Sequence, residues 1–307
     1  MITSVFNKSK PINFVIVFFI MLLAFFVANF KPFIESLSIV SFFEKTTWFF
    51  VCYFTILIFN FVVVKNSLTK NNHYQILLFS LFFLTLPETT INGNILFANV
   101  FILLGLRRLL SLRTQIKIKK KLFDTAVWFA VATFFYFWAV LFFILIFVTL
   151  FLYTDNRIKN WIVPFVGFAT IVVISISASI IFYDDFFEII NISTAISYNY
   201  NSYNTTKFLI AITLLLPFGL WSSIFFVKLV QKKKKALKPS FKIIFASVII
   251  AFVTVILAPQ KSGSEFLFLF APLSIVMTNY IESIKEKWFK EVFLLILIVV
   301  PLVLLML

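Results

Sequence analysis

The sequence predicts an all-α, polytopic membrane helical bundle, and three observations predict it. The chain of 307 residues is 62% hydrophobic and only 13% charged, whereas soluble domains run near half apolar and a quarter charged. Its mean hydropathy is +1.06. Its apolar residues are gathered in long runs split by short charged loops, and a membrane helix needs about 20 such residues to cross roughly 30 Å of hydrocarbon. A transmembrane barrel is excluded, because its strands would alternate polar and apolar residues at period two.

The net charge of +15 does not point to nucleic acid. The basic residues sit in short loops beside helix ends, where they orient a membrane chain. The expected partner is therefore the lipid bilayer, with no nucleic acid. Cys52 is the single cysteine and lies in an apolar run, so an intrachain disulfide and a cysteine metal site are excluded. His73 is the only histidine, which removes a histidine-cluster metal site. No cofactor is expected beyond a divalent cation on oxygen ligands.

Taken in order, Lys8 and Lys10 precede an apolar stretch over 12–30. That stretch is longer than a signal-peptide core and no A-x-A site follows it, so it reads as an uncleaved first helix. The next loop is balanced by Lys31, Glu35, Glu44 and Lys45. Helix two is expected over 48–64, followed by Lys65 and Lys70 with no acid. Helix three, 74–86, stops at Pro87 and Glu88, and Asn92-Gly93 marks a turn. Helix four, 94–110, runs into Arg107, Arg108, Arg113, Lys117 and Lys119 to Lys121. Because basic loops stay in the cytoplasm, the N-terminus is expected there.

The run 123–153 decides the topology of everything after it. If it crosses once, Lys228, Lys232 to Lys235, Lys238 and Lys242 are translocated, at roughly 2.5–3.5 kcal/mol each on insertion scales. If it crosses twice, as a short-helix or re-entrant pair, those lysines stay in the cytoplasm. Tyr136 and Trp138 then reach the opposite interface, where such rings prefer to be. Two crossings are expected, although its middle holds no good turn former and its arms would be only about 20–25 Å long. The remaining helices fall over 161–182, 208–227, 243–257, 265–281 and 291–307. The total is about eleven transmembrane helices in one integral membrane domain over 1–307, with a cytoplasmic N-terminus and a periplasmic C-terminus. Pro164, Pro217, Pro272 and Pro301 fall inside predicted helices, as membrane helices tolerate. Gly167, Ser175 and Ser179 share a helix face as a small-residue packing seam.

No charge lies deep inside a predicted helix, which argues against an ion-coupled transporter and leaves the outer face. There, Asp184, Asp185 and Glu188 are candidate catalytic carboxylates. Asp184 and Glu188 would share a helix face, as a divalent-cation site or as base and acid. The competing reading is solvated charge at a helix end. Tyr198 and Tyr200 are candidates to stack a sugar or to anchor at the interface. Lys261 is a candidate phosphate ligand. Glu265 is a second candidate substrate ligand, although Ser262 to Glu265 also fits the S-x-x-E capping box that opens a helix.

In layout, the basic loop RRLLSLRTQIKIKKK, the paired short helices of 123–153 and the return through RIKNWIVPFVGF resemble the GT-C superfamily of polyprenyl-phosphate-dependent glycosyltransferases and O-antigen-polymerase-like proteins. That resemblance implies a catalytic carboxylate in the first outer loop, where this chain offers only Glu35 and Glu44. The stretches ILFANVFILLGLRRLLSL, RIKNWIVPF and SEFLFLFAPLSI resemble a family of flavobacterial-type inner-membrane proteins with no established activity, which implies a bacterial inner membrane. Two functions are thus expected in competition. One is handling of a polyprenyl-linked glycan at the periplasmic face. The other is a non-enzymatic scaffold or accessory subunit with membrane-protein partners in the cell envelope.

Overall fold

A computed structural model describes residues 2–35, 38–153, 157–186 and 194–305. The chain is 82% helical, with no strand among the described residues. The helices are α1 (Ile2–Phe6), α2 (Ile12–Glu35), α3 (Ile39–Lys65), α4 (Tyr74–Thr85), α5 (Gly93–Leu110) and α6 (Ile118–Phe135). They continue as α7 (Ile144–Leu152), α8 (Ile158–Tyr183), α9 (Thr206–Lys232), α10 (Lys238–Leu257), α11 (Leu267–Ser283) and α12 (Lys287–Leu304). Seven helices among the described residues are long and apolar enough to cross a membrane. The chain is a multi-pass helical membrane protein. The first expected loop is shorter than the sequence suggested, because α2 runs on to Glu35 and α3 begins at Ile39, capped reciprocally by Ser38 and Ser41.

The described residues form two compact units. The first comprises Met1–Leu96, Asn199–Lys232 and Lys261–Leu307. At its centre is α4, whose twelve residues are all buried, packed by α2, α3, α11 and α12. At 1.5 Å per residue α4 is about 18 Å long, short of the roughly 30 Å of hydrocarbon. Its ends are therefore recessed, and the surrounding helices must satisfy their polar groups. It stops at Leu86 (φ −129°, ψ 76°), because a residue before proline is pushed out of the helical region. Pro87 then opens a 3-10 turn, Pro87–Thr90.

The two ends of this unit differ. At one, Glu282 accepts bonds from the Lys70 amide (2.8 Å) and Asn72 Nδ2 (2.7 Å). At the same end Lys290 lies 4.5 Å from the Tyr74 ring. His73, 3% exposed, meets Ser9 Oγ at 2.6 Å through Nε2 and accepts from Asn13 Nδ2 at 3.1 Å through Nδ1. This is the basic end, with Lys8, Lys10 and Lys285 in its loops and Lys287 opening α12. The opposite end gathers Glu88, Tyr203 and the 261–265 turn.

The His73 geometry carries a pH prediction. Protonating Nδ1 would set it donor to donor against Asn13 Nδ2, which also donates to the Lys8 carbonyl at 2.9 Å. Burial also holds the His73 pKa below the ordinary 6.5. A depressed histidine contributes stability that is complete above 6.5 and is lost as pH falls through its folded pKa. Thermal unfolding of purified protein in detergent should show a larger loss between pH 7.5 and pH 5 for the wild type than for His73→Gln. Parallel curves would refute the assignment.

The second unit comprises Phe97–Tyr198 and Lys233–Gln260, and it contains the 123–153 run. The helix breaks at Tyr136, which is extended (φ −151°, ψ 109°), and a 3-10 helix, Phe137–Phe143, leads into α7. In a continuous helix Phe129 and Phe142 would be about 20 Å apart. Their rings lie 6.2 Å apart, and Phe129 to Phe143 is 6.1 Å. The chain reverses here. At the tip, Trp138 Nε1 donates to the Ala195 carbonyl (3.2 Å), beyond the end of α8. At the far end, Tyr153 Oη meets Ser240 Oγ at 3.3 Å, beside the Lys233–Lys238 run. The basic segments of this unit thus share one end, and Asp184 lies at the other. The seam read from the sequence is present, since Gly167, Ser175 and Ser179 are among the few buried residues of α8 and α8 packs on α6. Pro164, Pro217, Pro272 and Pro301 all lie inside helices.

Candidate functional site

The densest polar cluster among the expected site residues lies at the non-basic end of the first unit, where α11 begins. Gly263 takes φ +89°, and an added Cβ would lie 2.6 Å from the Phe208 ring, so this turn admits only glycine without strain. Ser262 Oγ then accepts the Ser264 amide (3.3 Å) and donates to Glu265 Oε2 (3.3 Å). A short 3-10 turn, Ser264–Phe266, feeds α11. The expected capping box does not form: the turn is capped by Gly263 without a side-chain bond. The Glu265 carboxylate instead takes two hydroxyls, with Ser262 donating to Oε2 and the distant Tyr203 to Oε1.

Glu265 is fully enclosed, at 0% exposure. Tyr203 is held over it by ring contacts to Phe208 (5.4 Å), Phe266 (5.7 Å) and Tyr200 (6.1 Å). Lys261 is 5% exposed, with Nζ 4.9 Å from the Tyr200 ring centre. Burial pulls the Lys261 amine below its ordinary pKa, and Glu265 opposes that pull. The structure therefore brings together Lys261, Glu265 and Tyr200. Tyr198 is exposed and belongs to the second unit.

Ser264 Oγ donates to the Glu88 carbonyl (3.0 Å), tying this turn to the 3-10 helix 87–90. Asn29 Nδ2 donates to Thr90 Oγ1 (3.1 Å), tying the same element to α2. Beside it is a cavity of about 240 Å³ lined by Val27, Leu84, Glu88, Lys207, Phe208 and Leu304, among others. Burial raises the Glu88 carboxyl above its ordinary pKa, against the opposing effects of its own backbone amide and of Lys207. No ion pair joins Glu88 to Lys207. A larger apolar groove, about 380 Å³, runs between α2 and α3 past Phe25, Phe26, Phe30, Phe42, Phe49 and Lys45.

The carboxylates of the second unit are arranged differently from expectation. Asp184 ends α8 in the left-handed region (φ 53°), and residues 184–186 are not helical. The helical register that would have placed Asp184 and Glu188 on one face is absent at Asp184. Asp184 and Asp185 are exposed, and Glu188 lies outside the described residues. In the first loop, Glu44 is exposed and the Glu35 side chain lies outside the described residues. Among the described residues, no group of three histidine, cysteine or acidic side chains is placed to hold a metal. Sequence reasoning assigned none of Glu88, Tyr203 and Lys207 to a site; Glu88 and Tyr203 meet partners far away in the chain.

A model of a family of unknown function (DUF6427) matches residues 4–307. No curated protein and no solved structure matches the chain.

Proposed function

We propose that this chain, which belongs to the DUF6427 family, is a bacterial inner-membrane protein that handles a polyprenyl-phosphate-linked glycan at its periplasmic end, in the manner of GT-C glycosyltransferases. One observation carries the reading: a carboxylate, a lysine and two tyrosines, Glu265, Lys261, Tyr200 and Tyr203, pack together at the non-basic end of membrane-embedded helices. The phenylalanine groove between α2 and α3 supports it as a path for a prenyl chain. Orientation follows from the segregation of charge, because basic loops are retained in the cytoplasm. With the reversal at Tyr136, the apolar segments make about eleven crossings, leaving the N-terminus cytoplasmic and the C-terminus periplasmic. Asp184, Asp185 and Glu188 are then periplasmic carboxylates available as base or as divalent-cation ligands.

The test has two parts. In a Cys52→Ser background, a membrane-impermeant maleimide should label Ser202→Cys in intact, outer-membrane-permeabilised cells and leave Ala236→Cys unlabelled. The reverse pattern would place the cluster in the cytoplasm and end the reading. Native mass spectrometry should then show polyprenyl phosphate retained over phosphatidylglycerol, with Lys261→Gln losing roughly tenfold in affinity, as expected for one charge-assisted contact. Equal retention of the two lipids would refute glycan-carrier handling.

A second reading, the non-enzymatic scaffold, is favoured by a specific observation. Glu265 is wholly enclosed with its partners in place, and the Lys261 amine lies against the Tyr200 ring, as a structural tie would be. On that reading a folded Glu265→Gln variant keeps full function in cells and a membrane-protein partner co-purifies with it.

A further inference from the structure

We propose that the cavity faced by Glu88 and Lys207 binds the headgroup of an amine-bearing phospholipid of the phosphatidylethanolamine type, with Lys207 and the first turn of α9 taking the phosphate and Glu88 taking the ammonium. This site does not depend on the glycan reading, which uses the Glu265 cluster and the phenylalanine groove.

Opposite charges face the same small cavity without forming an ion pair. They stand on separately anchored elements. Glu88 is on the 3-10 helix held by the Ser264 bond to its own carbonyl and by Asn29 on Thr90. Lys207 is in the first turn of α9. A lysine is a poor choice at that position for the helix alone, because the positive end of the helix dipole disfavours a cation. It becomes a good choice if an anion sits there, since a helix N-terminus and an ammonium both attract phosphate. At the carboxylate side the argument is the same with the sign reversed. Burial disfavours ionised Glu88, and an ammonium ligand would restore it.

The remaining walls specify a lipid. Val27, Leu84, Phe208 and Leu304 are apolar, at the end of helices that pack within the membrane. The volume of about 240 Å³ lies below the range of about 300–1,000 Å³ that holds drug-sized ligands, so the cavity suits a compact headgroup better than a sugar chain. The charge order selects among headgroups. Phosphatidylglycerol offers phosphate, but its uncharged hydroxyls give the carboxylate no counter-ion. Phosphatidylcholine offers a cation with no N–H to donate.

The full-length protein, purified in detergent, should be titrated with phosphatidylethanolamine, phosphatidylglycerol and phosphatidylcholine of matched chains and read by native mass spectrometry. The wild type should prefer phosphatidylethanolamine over each of the others by roughly tenfold, the size of one charge-assisted bond. Glu88→Gln should bring phosphatidylethanolamine and phosphatidylglycerol to within about twofold. Lys207→Glu, a change at an exposed position, should lose both lipids and provides the test if Glu88→Gln does not fold. Equal binding of the three lipids by the wild type would overturn the proposal, as would full retention of phosphatidylethanolamine by Lys207→Glu. So would displacement by soluble O-phosphoethanolamine at concentrations equal to the lipid, since the site would then belong to a water-soluble ligand.

Discussion

Glu265→Ala should destabilise the protein by about 2–3 kcal/mol, because it strands the buried Tyr203 hydroxyl, at about 1–3 kcal/mol, and empties the space the carboxylate filled, while the loss at exposed Ser262 is small. Tyr203 and Ser262 both donate to this carboxylate, and water has no route to replace it at 0% exposure. Tyr203→Phe should cost about 1.5–3 kcal/mol, the range for a bond to a charged group. Because the two residues share one bond, the double variant should cost less than the sum, leaving a coupling of about 1–2 kcal/mol. Glu265→Gln keeps an acceptor of nearly the same size, so its loss should be the smallest of the set. The readout is thermal unfolding in detergent across the four members of the cycle. Strict additivity would mean that the Tyr203–Glu265 bond contributes nothing to fastening the 200–203 turn onto α11.

How much of this was legible in the chain depends on the range of each interaction. Membrane class was legible because it is a property of composition over whole segments. The reversal inside 123–153 was legible from charge, since Lys232 to Lys235 resist translocation, and not from any turn residue. The break itself falls at Tyr136 because tertiary packing selects it: Phe129 lies over Gly105, where a Cβ would be 2.3 Å away, and meets Phe142 and Phe143 beyond the turn. Local patterns misled where a distant partner or a helix end overrode them. The S-x-x-E spacing at Ser262 is genuine, yet the carboxylate takes the Ser262 hydroxyl and that of Tyr203, 62 residues earlier. The i, i+4 spacing of Asp184 and Glu188 presumed a helix that ends at Tyr183. Glu88 read only as part of the stop of helix three, because its tie to Ser264 spans 176 residues and no local pattern carries it.

Gly167→Leu should damage the second unit severely, with an expected cost of about 3 kcal/mol. Lipid chains are as apolar as leucine, so helices in a bilayer gain little from burying apolar surface and associate through close packing instead. α8 shows the consequence. Most of its surface is exposed, including Val166 at 52%, while Asn160, Pro164, Gly167, Ser175 and Ser179 form its buried face. At Gly167 even a methyl group would lie 2.8 Å from the Ala126 Cβ and 3.1 Å from the Phe123 carbonyl oxygen. The second of these is backbone and cannot swing aside, so a leucine must force α8 away from α6 and strip contacts along the whole seam. Val166→Leu, one residue away on the exposed face, should stay within about 0.5 kcal/mol of the wild type. A milder pair isolates the contact: Gly167→Ala should cost about 1 kcal/mol, and adding Ala126→Gly should return part of it by removing the facing Cβ. Yield of monodisperse protein and thermal unfolding in detergent would rank the four variants. Gly167→Leu unfolding at the temperature of Val166→Leu would show that α8 is held by something other than this seam.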